Sequence, residues 1–406
     1  MPKSNCLVLF CFVFSLCVIS ALAGITAAQT FKTVHDGVEY AEMTRQLLDK
    51  QPVKINLLRL DLKKVRIDTH HALDAAIGTE TTSSIATRHG AVAAINAGFF
   101  RLDRSKFAGD VAGVFMIDGT LLSESVNDRS AVGIINGAKR TEIEFGRIRT
   151  RAIVGFGIDS EFAFDGINRE RKPNEIILFT PNFGRSTMTD TKGPEIVLTD
   201  CETDDGRWRC GRAEVFENNG NAPIPRDGFV ISIGNDALQK SNSVLYFAER
   251  AGSKQQRNSE DTFRVVLEAE PLDAAQKKFF ATAEDITNGV PRLIKNRRVN
   301  VTWQEEKAAR TFAESRHPRT AVAKLKNGKL LMVTVDGRQP NVSVGMNLNE
   351  LAEFLLELGA VDAMNLDGGG STTMVLRGKV VNTPSDKTGE RKVSDALLVT
   401  LRAKRK

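Results

Sequence analysis

The chain has 406 residues, 41% of them hydrophobic and 26% charged, with a formal charge of +6. These proportions exclude wholesale disorder and leave enough apolar material for one large core or two. Acidic and basic residues alternate through most of the sequence. The one tight basic run, 402–406, reads as a solvated end, so no nucleic-acid partner is expected.

Lys3 precedes an apolar run over 6–22, and small residues follow at 21–23 and 26–28. This is the pattern of a secretory signal peptide, cleaved after Ala23 or Ala28. The run is short for a membrane anchor, so a secreted or periplasmic protein without a membrane segment is expected after cleavage. Cys6, Cys11 and Cys17 leave with the peptide, and Cys201 and Cys210 remain inside TDCETDDGRWRCG. Two cysteines closing a short polar loop in an oxidising compartment predict one disulfide, with a stabilisation of roughly 2–3 kcal/mol. A two-cysteine metal site is disfavoured because no histidine lies nearby. The five histidines show no zinc-protease or paired-ligand spacing.

In chain order, VKINLLRLDL (52–62) alternates like a strand, and TETTSSIATRHG (79–90) reads as a short helix ending before Gly90. AVAAINAGFF (91–100) is a buried strand running into a turn. GVFMIDGTLLS, SAVGIING, EIEFGRIRT and FVISIG add strands. The polar stretch GSKQQRNSED (252–261) is a candidate loop between two halves, and 303–315 suits either a helix or a long loop. KLLMVTVDG (329–337) is a strand ending at Asp336. NLNELAEFLLELG (347–359) is a helix with an Asn347/Glu350 start, and VDAMNLD (361–367) is a strand ending at Asp367. The last three elements predict a strand–helix–strand crossover between neighbouring parallel strands. That would bring Asp336 and Asp367 to one sheet edge. The expected fold is α+β: a mixed, twisted β-sheet core with flanking helices, including this C-terminal unit.

VDGRQPNVSVG (335–345) and NLDGGGSTTMV (365–375) each place a carboxylate beside glycine at a strand end. Two carboxylates at one site are the usual equipment for cutting a glycosidic bond. Gly368, Gly369 and Gly370 would let backbone N–H groups approach an anion, with Ser371 and Thr372 adding hydroxyls. Arg319 and Arg338 offer a bidentate grip on a phosphate or carboxylate. Asn96 and Gly98 shape the turn after INAG, and either Asp336 or Asp367 would suit a divalent cation. No cofactor is required by these residues, although such a cation is compatible with them.

INAGFF, LFTPNFG (178–184) with GPEIVL, NGVPRLI, HPRTAVA, VDGR, NLDGGGSTTMV and RKVSDALLV, in that order, resemble the phosphodiester glycosidase family over roughly 88–402. The resemblance implies hydrolysis of a sugar-1-phosphodiester, of N-acetylglucosamine type, to free sugar and a phosphomonoester. It divides the chain into a signal peptide (1–28), a β-rich lead-in (29–87), the glycosidase domain (88–402) and a basic tail (403–406). Asp367 would face the sugar with Asp336 as its partner, and Asn96 would orient substrate. Arg319, Arg338 and the 368–372 loop would hold the phosphate. The substrate class would be sugar phosphates or glycan phosphodiesters such as those of cell envelopes and exopolysaccharides. Two other readings use the same residues: a non-catalytic envelope protein that binds carbohydrate or polyanions, and a phosphodiesterase that breaks P–O. RKVSDALLV departs from the family pattern at Asp395, where asparagine is expected. Oligomeric state leaves no trace in the sequence.

Overall fold

The computed structural model describes residues 30–403 except 157–159, 205–206, 218–219 and 239–261. The expected signal peptide and the polar stretch 252–261 lie outside the described residues.

Two antiparallel sheets enclose the main core. The first runs, edge to edge, through Lys32–His35, Val38–Gln46, Pro52–Leu60, Leu330–Val335, Arg319–Leu325, Ala360–Asn365, Arg292–Lys295 and Arg298–Val299. The second runs through Lys379–Val380, Met374–Leu376, Ala93–Asn96, Asp395–Leu401 and Val65–His71. Leu58, Val322, Met332 and Met364 from the first sheet meet Ile67, Ile95, Met374 and Leu397 from the second. Val132, Ile134 and Phe145, from a third, twelve-stranded sheet, complete that core.

Each of the first two sheets carries a helix on its other face. Helix Leu348–Glu357 sets Leu348, Leu351, Ala352 and Leu355 against Val53, Ile55, Leu57, Ala321 and Ala323. Small Ala321 and Ala323 leave room for the helix. Asn347 and Glu350 form a reciprocal capping box that starts it, each bonding the other's backbone N–H at 2.9 Å. Helix Thr82–Arg88 likewise puts Ile85 and Ala86 on Ala94, Ala396 and Leu398. Because both faces are covered, strand Pro52–Leu60 is apolar on both sides: Leu57 faces the helix and Leu58 the inner core.

The third sheet contains the sixteen-residue strand Thr141–Phe156 and the hairpin Glu195–Asp204/Arg207–Phe216. Cys201 stands opposite Cys210 in that hairpin, and the two are joined by the expected disulfide.

Two expectations change. The protein is β-rich: its longest helix among the described residues has ten residues, and 303–315 is helical only over Arg310–Glu314. Parallel pairing among the described residues is confined to Gly166–Ile167 with Ile176–Phe179. Leu330–Val335 and Ala360–Asn365 do run in the same direction, but Arg319–Leu325 lies between them and is antiparallel to both. They are therefore not neighbours, yet their C-terminal ends still reach one edge. The strands of the lead-in pair with those of the C-terminal half. Pro52–Leu60 pairs with Leu330–Val335, and Val65–His71 pairs with Asp395–Leu401, so both belong to the sheets of the C-terminal half.

Candidate active site

The edge reached by Val335 and Asn365 is also where Ala93–Asn96 ends and where Arg319–Leu325 and Asp395–Leu401 begin. Asn96 pins these ends together. Its Oδ1 accepts from Thr320 Oγ1 at 2.7 Å and from the Thr373 N–H at 3.0 Å, while its Nδ2 donates to the Asp367 carbonyl at 2.7 Å. The side chain is fully buried and its bonds stay within the protein. It therefore ties the Asp367 backbone to the hydroxyl run.

Asp367 lies two residues beyond its strand and is partly buried. Its Oδ1 accepts from the Gly368 N–H at 2.9 Å. Burial pushes this carboxyl up to about 6, Asp395 adds to the rise, and Ser371, the Gly368 N–H and Arg391 partly oppose it. The nearby carboxylate that bears on Asp367 is thus Asp395. Asp336 is committed elsewhere: Asn382 Nδ2 donates to its Oδ1 at 3.0 Å, and the Thr383 N–H reaches both oxygens at 3.1 and 3.0 Å. Its own carbonyl accepts from Ser343 Oγ at 2.6 Å. These bonds tie Asp336, the second carboxylate singled out in the sequence, to the segment after the hydroxyl run.

The triple glycine serves close packing. A Cβ on Gly368 would lie 2.6 Å from the Pro318 carbonyl, and one on left-handed Gly369 (φ 63°) would lie 3.0 Å from Arg338 Nη2. One on Gly370 would lie 2.2 Å from both Arg391 Nη2 and Asp386 Oδ1. Gly369, Ser371 and Thr372 spend their N–H groups on the carbonyls of Pro318, Gly368 and Gly369. The loop therefore lets two arginines approach, while these three N–H groups are bonded within the protein. Gly98 behaves similarly, since its N–H donates to both Asp395 oxygens at 3.1 and 3.0 Å.

The two expected arginines differ. Arg338 is exposed, has a left-handed backbone (φ 61°) and makes no hydrogen bond or ion pair among the described residues. Arg319 is buried. Its Nε bonds the Met346 carbonyl at 2.9 Å, and Nη2 bonds those of Phe312 and Ser315 at 2.7 and 3.0 Å. Only Nη1 is unpartnered, so Arg319 offers one nitrogen and not a bidentate fork. Burial, with Arg338 beside it, brings its guanidinium down to about 9. Burial and the same two arginines also hold His317 below its ordinary value.

Unpartnered polar atoms gather on these same segments. Among the described residues His317 Nδ1, Arg319 Nη1, Asn365 Oδ1, Ser371 Oγ, Thr372 Oγ1 and Thr373 Oγ1 are buried without a hydrogen-bond partner of normal geometry. Buried polar groups are rarely left so. A set of them beside a high-pKa carboxyl and two guanidinium groups is what a polar, anionic ligand would satisfy.

Comparison with known proteins points to the same family. Residues 211–400 match the family model described as phosphodiester glycosidase. That segment is just under half of the chain. The bovine (Bos taurus) N-acetylglucosamine-1-phosphodiester alpha-N-acetylglucosaminidase is 38% identical over 110 residues, covering 25% of this chain and 20% of that protein. The match thus spans a fifth of the curated relative's length. Two solved structures share the fold. One, from Synechocystis, has a TM-score of 0.70 at 21% identity over 93% of this chain and 64% of that one. The other, from Burkholderia pseudomallei, has a TM-score of 0.66 at 22% identity over 86% of this chain and 74% of that one.

The matched segment holds Arg319, Asp336, Arg338 and 365–373, whereas INAGFF and LFTPNFG precede it. LFTPNFG belongs to the third sheet, where Thr180, Pro181 and Asn182 line a cavity of about 460 Å³ with Trp208 and Arg226. Neither Asp336 nor Asp367 belongs to a three-ligand group of His, Cys, Asp or Glu among the described residues. No helix among them is long and apolar enough to cross a membrane. Sequence reasoning missed Arg391, Asn382 and Asn365, and noted Asp395 only as a departure from the family pattern. The quoted motifs contain Asn365, Arg391 and Asp395, but only the folded contacts show that Arg391 packs on Gly370 and that Asp395 bears on Asp367.

Proposed function

We propose that the protein is an exported hydrolase that cleaves a sugar-1-phosphodiester, of N-acetylglucosamine type, to free sugar and a phosphomonoester. The reading is carried by Asp367, a strand-end carboxyl held near 6 beside unpartnered hydroxyls and two guanidinium groups. Ionised Asp367 stabilises positive charge at the anomeric carbon as the C–O bond to phosphate lengthens, and water supplies the new hydroxyl. A phosphate monoester is a good leaving group, so the site needs anion binding more than a strong second acid. That suits a site in which Asp336 is spent on Asn382 and Thr383. Arg338 and Arg319 Nη1 hold the phosphate, and Ser371, Thr372 and Thr373 hydrogen-bond the substrate. Asn96 and Asp336 keep these groups in place. The bovine relative's name supplies the sugar type.

The test is hydrolysis of UDP-N-acetylglucosamine by purified protein, with and without chelator, beside Asp367→Asn. Free sugar released by the wild type and lost in the variant supports the assignment. Performing the reaction in ¹⁸O water locates the broken bond: label in the sugar supports C–O cleavage, and label in the phosphate supports a phosphodiesterase. Saturable binding without release would support the envelope-binding reading, and loss of turnover with chelator would bring a divalent cation into the site.

A further inference from the structure

Outside this site, three metal-ligating side chains converge from consecutive elements. His70 lies on strand Val65–His71, Asp74 ends the following turn, and His89 caps the C-terminus of helix Thr82–Arg88. One ligand atom from each lies within 4.8 Å of the others. The two imidazoles stack with centroids 3.7 Å apart and planes 24° from parallel, so one ring must turn about its Cβ–Cγ bond to aim both nitrogens at one ion. His89 Nε2 is already 3.1 Å from Asp74 Oδ1. Zinc–nitrogen bonds of about 2.0–2.1 Å put tetrahedral ligand atoms roughly 3.3 Å apart, so that pair needs little adjustment.

The carboxylate is also oriented. Arg88 Nη1 donates to Asp74 Oδ2, and Arg88 Nη2 holds Glu80 Oε2 at 2.8 Å, leaving Oδ1 turned toward His89. Such an outer partner is what fixes a ligating carboxylate in built metal sites. Asp68 and Asp118 add negative potential around His70. His71, the next residue, faces Asp395 across the ladder and takes no part.

We propose that His70, Asp74 and His89 bind one divalent transition-metal ion of the zinc class, with two nitrogens, one oxygen and a water-occupied fourth position. The site is independent of the proposed hydrolysis, and its three residues are local in sequence and tied to the helix that covers the second sheet. Binding would therefore clamp helix Thr82–Arg88 to strand Val65–His71.

The test is calorimetric titration of tag-free, chelator-washed protein with Zn²⁺, together with visible absorption on adding Co²⁺. The expected result is one ion per chain, with a d–d band typical of four- or five-coordinate cobalt. Binding should weaken at least about 100-fold in His70→Ala and in His89→Gln, and should be unchanged in His35→Ala. His89→Gln keeps a polar side chain at the helix end, and circular dichroism checks that each variant is folded. No uptake by folded wild type at 100 μM metal would overturn the proposal. So would equal uptake in folded His70→Ala and His89→Gln, which would mean adventitious surface binding.

Discussion

Replacing Asp367 by asparagine should make the protein more stable at neutral pH while abolishing its activity. The carboxyl rises from an ordinary 3.8 to about 6 in the fold. A rise of that size corresponds to about 3 kcal/mol of preference for the protonated form. Because the folded value is the higher one, this contribution to stability is complete below about pH 4. It is lost as pH rises through about 6 and stays lost above that. At pH 7.5 the wild type thus bears a buried negative charge that Asp367→Asn does not, and the amide can still accept the Gly368 N–H at Oδ1. Guanidinium unfolding at pH 7.5 should show the variant more stable by up to about 3 kcal/mol, and the gap should close at pH 4. Hydrolysis should fall by about 10²–10⁴. A variant less stable than wild type at pH 7.5, or a gap indifferent to pH, would refute the argument that Asp367 is held ionised at a cost.

Other outcomes follow from the same contacts. The kcat/KM for a sugar phosphodiester should rise with pH through about 6, as Asp367 ionises, and then level off; a profile flat between pH 5 and 7 would remove its role. Arg338→Ala should raise KM about tenfold or more with an unchanged melting temperature, since the side chain is exposed and has no internal partner to lose. Asn96→Ala should cost about 2–4 kcal/mol in chemical denaturation, because it strands the Thr373 N–H, the Thr320 hydroxyl and the Asp367 carbonyl in the interior. Gly370→Ala should displace the Arg391–Asp386 pair and lower kcat/KM with a stability loss of only about 1–2 kcal/mol, since the clashing atoms are side-chain ends.

Local chemistry was legible wherever a short stretch carries its own instruction. The Asn347/Glu350 box starts its helix as read, the short helix over 79–90 ends before Gly90, and Cys201 meets Cys210 across a short hairpin. Asp367, the hydroxyl run and the arginines stood out as candidates because strand-end polar residues interrupt apolar text. What failed was non-local. Strand–helix–strand text suits adjacent parallel strands, and nothing in it announces that Arg319–Leu325, which precedes both, will insert between them. Period-2 alternation cannot say that Pro52–Leu60 pairs with a strand some 280 residues away, because any antiparallel partner with an apolar face satisfies it.

The roles of individual polar groups were decided only by tertiary structure. Asp336 and Asp367 look alike in sequence, each at a strand end before glycine. Folding gives one to Asn382 and Thr383 and leaves the other against unpartnered hydroxyls. Three glycines in a row signal that a Cβ is not tolerated there, but only the surrounding contacts name the intruders as Pro318, Arg338 and Arg391. Residue type sets which hydrogen bonds and charges are available. Which are spent inside the protein, and which remain for a ligand, depends on partners brought together from opposite ends of the chain.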